Sequence, residues 1–94
     1  MNTIYKYIMP MTNHIGPGRV DSVISMPKHA AILCVQEQQE VPCIWALVNT
    51  TMPMEERHFT VYGTGKELPS YPGKYIGTVQ LNCQSTVLHV FERV

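Results

Sequence analysis

The sequence predicts an all-β domain, or a β-rich α+β domain with at most one short helix, and three features indicate this. Val, Ile and Thr together make up 25 of the 94 residues, against eight Ala and Leu, and a branched Cβ fits a pleated strand better than a helix. Seven Pro and six Gly are spread along the chain and leave few helix-length windows. Short apolar segments between loop signals are typical of a small antiparallel sandwich or a partly open barrel of about six to seven strands.

The first half of the chain contains four of the predicted strands. Thr3–Ile8 (TIYKYI) is rich in β-branched and aromatic residues, and the Pro- and Gly-containing segment Met9–Gly18 after it is predicted to be a loop. Arg19–Ser25 (RVDSVIS) is a second β-branched segment, closed by a Met-Pro pair. Ala30–Glu37 and Val41–Asn49 are separated by three polar residues, which predicts a hairpin.

The middle of the chain contains the predicted central strand. Val41–Asn49 has apolar residues on both faces, as expected of a strand that is covered on two sides. Thr50–Glu56 is polar and is predicted to be a loop. Arg57–Gly63 alternates, with Phe59 and Val61 on one face, and is predicted to be a half-buried strand.

The last third is predicted to form a long loop and a hairpin. Thr64–Gly73 contains two Gly and two Pro and is predicted to be irregular, and Thr64–Tyr71 is the predicted place for the one short helix. Lys74–Leu81 and Thr86–Glu92 are predicted to pair around a polar turn. The predicted core consists of Trp45, Leu47, Phe59, Val61, Val79, Leu88 and Val90.

Length and charge limit the class of protein. Ninety-four residues predict a single domain over 1–94. Seven basic and seven acidic residues give zero net charge, which argues against a nucleic-acid or anionic-lipid partner. No apolar run reaches membrane-spanning length, and the first thirty residues lack a signal-peptide pattern. We therefore expect a soluble protein of the cytoplasm.

The sequence shows no catalytic or metal-binding pattern. Its three cysteines, an odd number without a C-x-x-C pair, are predicted to be free thiols. Its four histidines lack the close spacing of zinc ligands, and the neighbouring Glu55 and Glu56 are unsuited to divided acid–base roles. The sequence therefore predicts a protein that is not an enzyme and has no cofactor or metal.

One segment, Tyr62 to Lys66 (YGTGK), has the composition of an anion site. Two glycines around a hydroxyl residue, at the end of a strand, allow backbone N–H groups to converge on an anion, although a strand-terminating turn has the same composition. Arg57 can bind a phosphate bidentately, and a tyrosine can stack on a base. The candidate ligand site therefore consists of Arg57, Tyr62, Gly63, Thr64, Gly65, Lys66 and Tyr71.

Several strings in the chain also resemble a known family. PCIWALVNTTMPMEERHFTVYGTGKEL, YIGTVQL and VLHVFE are similar to segments of small proteins of tailed bacteriophages and prophages that are classed as a domain of unknown function. The most specific pieces are Pro42-Cys43, Trp45 to Val48 and Tyr62 to Gly65. The resemblance implies a phage-borne protein in the bacterial host cytoplasm, and it implies no catalytic residues.

Three functions fit these observations. The first is a binding protein that sequesters a small phosphate-bearing, nucleotide-type defence signal of the host. The second is an inhibitor or accessory protein that docks onto a host protein, including anti-CRISPR-like action, and the third is a minor virion or assembly protein. Few charges and six Met residues favour protein contacts, and we expect self-association as a homodimer or higher even oligomer.

Overall fold

The structure of the protein, a computed structural model, describes residues 1–83 and 85–93. These residues form eight β-strands and no helix, and hence no helix that could cross a membrane. In chain order the strands are β1 (Asn2–Ile8), β2 (Asn13–Gly16), β3 (Arg19–Pro27), β4 (Ala31–Gln38), β5 (Val41–Asn49), β6 (Met54–Gly63), β7 (Lys74–Leu81) and β8 (Thr86–Arg93).

The strands form two antiparallel sheets. The smaller has the order β1-β5-β4 and the larger the order β2-β3-β6-β8-β7. The edge strands β4 and β7 pack against each other, and a Cβ added to Gly77 of β7 would lie only 2.8 Å from Cγ1 of Val35 on β4. The predicted all-β fold is confirmed, as a sandwich-like pair of sheets that does not close into a barrel.

The core lies between the sheets and confirms most of the predicted core residues. Phe59, Val61, Val79 and Val90 are buried, and Leu88 is partly buried against them. The further buried apolar residues of this core are Met9, Val20, Ile24, Met26, Ala30, Val35, Ile44, Ala46 and Val48.

The prediction that Trp45 and Leu47 belong to the core is wrong. β5 is the middle strand of its sheet, as predicted, but it turns Ile44, Ala46 and Val48 inward. Trp45 and Leu47 alternate with them and therefore point to the outer face, where Leu47 is 42% exposed and Trp45 is half-buried. No layer of the described residues covers that face of the small sheet.

Three local predictions are also corrected. The predicted loop Met9–Gly18 contains β2, which pairs with the start of β3 through a bulge. β6 begins at Met54, inside the predicted loop Thr50–Glu56, because β3 continues to Pro27 and provides partners there. The segment Thr64–Tyr71 holds no helix.

Candidate functional site

A cleft of about 310 Å³ lies on the outer face of the five-stranded sheet. Strand residues two apart point to one face, so Arg19 and Asp21 of β3 face the cleft together. Their cross-strand partners on β6, Tyr62 and Thr60, face it as well. The loop 64–73 supplies the opposite wall, and the two β6 residues are buried beneath it although they point away from the core.

Arg19 has an unsatisfied donor in this cleft. The centre of its guanidinium lies 5.3 Å from the centroid of the Tyr62 ring, in cation–π contact. Its Nε is buried and has no hydrogen-bond partner among the described residues. A buried donor without a partner costs roughly 1–3 kcal/mol, more when it is charged.

Arg93 provides a second guanidinium. Its Nη1 lies 3.4 Å from Oδ2 of Asp21, and this contact is partly exposed. The other carboxylate oxygen of Asp21 accepts a hydrogen bond of 2.9 Å from Oγ1 of Thr60. Each carboxylate oxygen of Asp21 therefore has one partner, and the contact with Arg93 positions that guanidinium at the cleft.

The charges and aromatic rings of the cleft suit an anionic ligand with a planar group. Two guanidiniums against one carboxylate give the lining a net positive charge. Tyr71, a residue that is 70% exposed, stands at the loop side of the cleft, where its ring can stack on a ring of a ligand. Guanidinium groups bind phosphate and carboxylate oxygens in a planar, bidentate manner.

Of the predicted backbone nest at Gly63, Thr64 and Gly65, the first two N–H groups are already bonded within the chain. The N–H of Gly63 donates to the carbonyl of Gly18 at 2.9 Å, that of Thr64 to Val87 at 3.3 Å, and that of Lys66 back to Gly63 at 3.3 Å. These donors are occupied by carbonyls of the same chain and cannot converge on a phosphate. Of the two interpretations left open by the sequence, the turn is the one that the hydrogen bonds support.

Gly65 and Lys66 have conformational and packing roles in that turn. Gly65 has φ +82°, a left-handed conformation that favours glycine. The Lys66 side chain lies along Gly18 in the β2–β3 turn, so that a Cβ added to Gly18 would be 2.6 Å from Cε of Lys66. The end of β6 is thereby packed against the turn between β2 and β3.

Arg57 lies far from the predicted turn. Gly63 lies six positions further along β6, which corresponds to roughly 20 Å. Arg57 forms a bidentate ion pair with Glu92 of β8, and its Nη1 donates to the carbonyl of Ala30 at 2.9 Å. The hydrogen bonds to Glu92 raise the pKa of the Arg57 guanidinium, while burial acts in the opposite direction. The Arg57 guanidinium is therefore bonded within the protein and stabilises the fold.

Two of the predicted site residues, Tyr62 and Tyr71, do lie together at the cleft. The residues that sequence reasoning missed are Arg19, Asp21 and Arg93. The alternation of Arg19 and Asp21 along one strand was a signal that both face one side. The sequence does not predict the contact of Asp21 with Arg93, because that contact depends on the order β3-β6-β8 in the sheet.

A second polar network begins at Thr64. Its Oγ1 lies 2.8 Å from Nε2 of His89, whose Nδ1 lies 3.0 Å from Oγ1 of Thr78. Thr78 is bonded in turn to the Tyr75 hydroxyl at 2.6 Å. Both ring nitrogens of His89 therefore have hydroxyl partners, and the chain ties the start of the loop to β7 and β8.

The comparisons with known proteins give a family and no activity. A family model described as Domain of unknown function (DUF7352) matches residues 1–94, which confirms the expected similarity to a domain family of unknown function. No curated protein and no solved structure matches the chain. Among the described residues, no group of three or more His, Cys, Asp and Glu is placed to hold a metal ion.

Proposed function

Because the chain belongs to the DUF7352 family, whose description assigns no activity, we propose from the cleft that it is a non-enzymatic binding protein for a small phosphate-bearing ligand. The ligand is of the nucleotide type. In this proposal the protein is phage-encoded, acts in the host cytoplasm and sequesters a defence signal. The observation that supports it most directly is the lining of the cleft, in which the guanidiniums of Arg19 and Arg93 stand against the one carboxylate of Asp21.

The two arginines suit the phosphate. Arg19 lies over the Tyr62 ring and Arg93 is held by Asp21, so that both guanidiniums are oriented before a ligand arrives. Preorganised groups lose less conformational freedom on binding and therefore contribute more to affinity.

The aromatic wall suits the base. Tyr71 is exposed at the loop side of the cleft, and Tyr62 forms the floor with an edge-to-face contact to Phe91 at 5.7 Å between ring centroids. A base entering the cleft would stack on Tyr71, while its phosphate meets the arginines.

Binding without turnover is supported by the state of Asp21. A general base must reach a proton of the substrate. Both carboxylate oxygens of Asp21 are already engaged, one by Arg93 and one by Thr60. The carboxylate of the cleft thus orients other side chains, as expected of a binding protein that sequesters its ligand.

Calorimetry with inorganic phosphate and a panel of linear and cyclic nucleotides tests the proposal. We expect at least one nucleotide to bind, and Arg19→Gln and Arg93→Gln each to weaken binding about tenfold, since a charge-assisted hydrogen bond contributes roughly 1.5–3 kcal/mol. Tyr71→Ala should weaken binding of nucleotides and leave inorganic phosphate unaffected.

The matched control is Lys28→Gln. Lys28 is an exposed cation just beyond the far end of β3, roughly 30 Å from Arg19 along the strand. Lys28→Gln therefore lowers the net charge of the protein by the same amount as Arg19→Gln, but it leaves the cleft almost unchanged. Binding that falls as much in Lys28→Gln as in Arg19→Gln, or absence of binding by every nucleotide, would contradict the proposal.

A second candidate function, docking onto a host protein, is supported by a different surface. The outer face of the three-stranded sheet exposes Ile4, Ile8 and Leu47, next to the half-buried Trp45. An exposed apolar patch of this kind marks many protein interaction sites. Leu47→Glu should then abolish co-purification of a host target while nucleotide binding is unchanged; a target retained by this variant contradicts docking through this face.

A further inference from the structure

The edge strands of the two sheets are protected to different degrees. A free edge strand presents unpaired backbone groups, and proteins shield such edges with short strands, bulges, prolines or packing. β2 has four residues, a bulge, and Pro10 and Pro17 beside it. β4 and β7 pack against each other. β1, by contrast, runs for seven residues without a bulge or a proline.

The hydrogen bonds at the two ends of the β1–β5 ladder show which backbone groups of β1 are free. Thr50 donates to the carbonyl of Met1 at 2.9 Å, and Met9 donates to the carbonyl of Pro42 at 3.0 Å. Bonded and non-bonded pairs alternate in an antiparallel ladder, so odd-numbered residues of β1 are bonded to β5. The groups that point to the free edge belong to Asn2, Ile4, Lys6 and Ile8.

We propose that β1 pairs antiparallel with β1 of a second copy of this chain, joining the two three-stranded sheets into one sheet of six strands. The register is fixed by the free groups. With Tyr5 opposite its own copy, Asn2 pairs with Ile8 and Ile4 with Lys6, and all four free residues are bonded. A shift by two residues in either direction leaves one of the four unpaired.

Charge selects the same register. Lys6 carries the one charged side chain of β1, and its Nζ is turned back across its own sheet to Oε1 of Gln38 at 2.6 Å. The Tyr5-centred register places Lys6 opposite Ile4, whereas the shift that centres on Lys6 would face two ammonium groups. Pairing also makes the exposed side chains of Ile4 and Ile8 continuous between the copies.

Sedimentation equilibrium of the full chain measures the association. We expect a mass of about 21 kDa, twice the 10.7 kDa of one chain. Ile4→Pro removes an N–H that points to the free edge and none that bonds to β5. It should therefore raise the dissociation constant of the dimer at least tenfold, while the circular dichroism spectrum stays native. Ile4→Val keeps the N–H and should leave the dissociation constant unchanged.

Cysteine cross-linking tests the register without relying on that variant. In a Cys83→Ser background, Tyr5→Cys places two thiols in a non-bonded pair with Cα atoms about 4.5 Å apart, within disulfide range. Oxidation should join the chains. Thr3→Cys is the control, since its two copies would lie roughly 13 Å apart and should remain separate.

Three results would overturn the proposal. They are a mass of one chain at all concentrations, a dimer that is unaffected by Ile4→Pro, and a dimer in which Thr3→Cys cross-links as readily as Tyr5→Cys. The cleft takes no part in this contact, so the outcome is independent of nucleotide binding.

Discussion

Arg57 and Glu92 form a bidentate ion pair between β6 and β8, in which Nε and Nη2 of the guanidinium donate to the two carboxylate oxygens. Glu92 is buried, and the Arg57 side chain is only 17% exposed. The same guanidinium bonds the carbonyl of Ala30 and so links the start of β4 to the larger sheet. The pair therefore connects β6, β8 and the start of β4, at the end of β8 that is remote from Gly63 and Gly65.

Glu92→Gln should lower the free energy of unfolding by on the order of 3 kcal/mol, because it leaves the Arg57 charge buried without its partner. Urea denaturation followed by tryptophan fluorescence measures the change. Arg93→Gln is the matched control, since it breaks the more exposed contact with Asp21 and should cost less than about 1 kcal/mol. Equal losses of unfolding free energy in the two variants would show that the buried Arg57–Glu92 pair stabilises the fold no more than the exposed contact does.

Phe59→Ala should cost about 3–5 kcal/mol, because Phe59 is fully buried and its removal leaves a cavity between the sheets. Leu47→Ala should cost far less, since Leu47 is exposed on the outer face of β5. Thermal unfolding of the two variants distinguishes the observed core from the one that the sequence predicts. A Leu47→Ala loss as large as that of Phe59→Ala would mean that the outer face is covered.

That contrast shows what the sequence could and could not predict. Alternation along β5 separates two apolar faces, but it does not say which face receives a second layer. The same limit applies to the cleft: Tyr62 and Tyr71 were identifiable as aromatic residues near a loop, whereas Arg19 and Arg93 reach one cleft only through a sheet order that no local pattern encodes. Arg57 was misplaced for that reason, since its partner Glu92 is on a different strand.

Gly73→Ala should be strongly destabilising, by more than about 2 kcal/mol, because Gly73 has φ +107° and an added Cβ would lie 2.3 Å from the carbonyl oxygen of Glu92. Gly65→Ala is the control: its φ of +82° is also strained for alanine, but the space around it is open, so it should cost about 1 kcal/mol. Differential scanning calorimetry ranks the two. The reverse order would contradict the close approach of the loop to β8.

Tyr7→Phe should stabilise the protein slightly or leave it unchanged, because the Tyr7 hydroxyl is buried without a hydrogen-bond partner among the described residues. Burial, and secondarily Tyr5, raises the pKa of Tyr7 above 10.0. Ionisation of Tyr7 therefore leaves stability unchanged below the unfolded pKa near 10, and stability falls as the pH rises from there through the folded value.

Unfolding at pH 8 and at pH 11 tests this. The alkaline loss of stability should be smaller in Tyr7→Phe than in the wild type. An alkaline loss that is the same in the two proteins would show that Tyr7 is not its source.

Asp21→Asn should strengthen binding of a phosphate-bearing nucleotide, by about three- to tenfold, if the cleft is the ligand site. The amide keeps the size of the carboxylate and an acceptor for the Thr60 hydroxyl, while it removes the negative charge that lies 3.4 Å from Arg93. The net positive charge of the cleft rises, and a charge a few ångströms from a phosphate contributes on the order of 1 kcal/mol or more. Calorimetry at low and high salt measures the gain in affinity, which should shrink as salt screens the charge.

Glu67→Gln is the control, because it removes an exposed carboxylate outside the cleft lining and should change affinity little. Weaker binding by Asp21→Asn would show that positioning of Arg93 by the carboxylate matters more to affinity than the charge that the carboxylate brings.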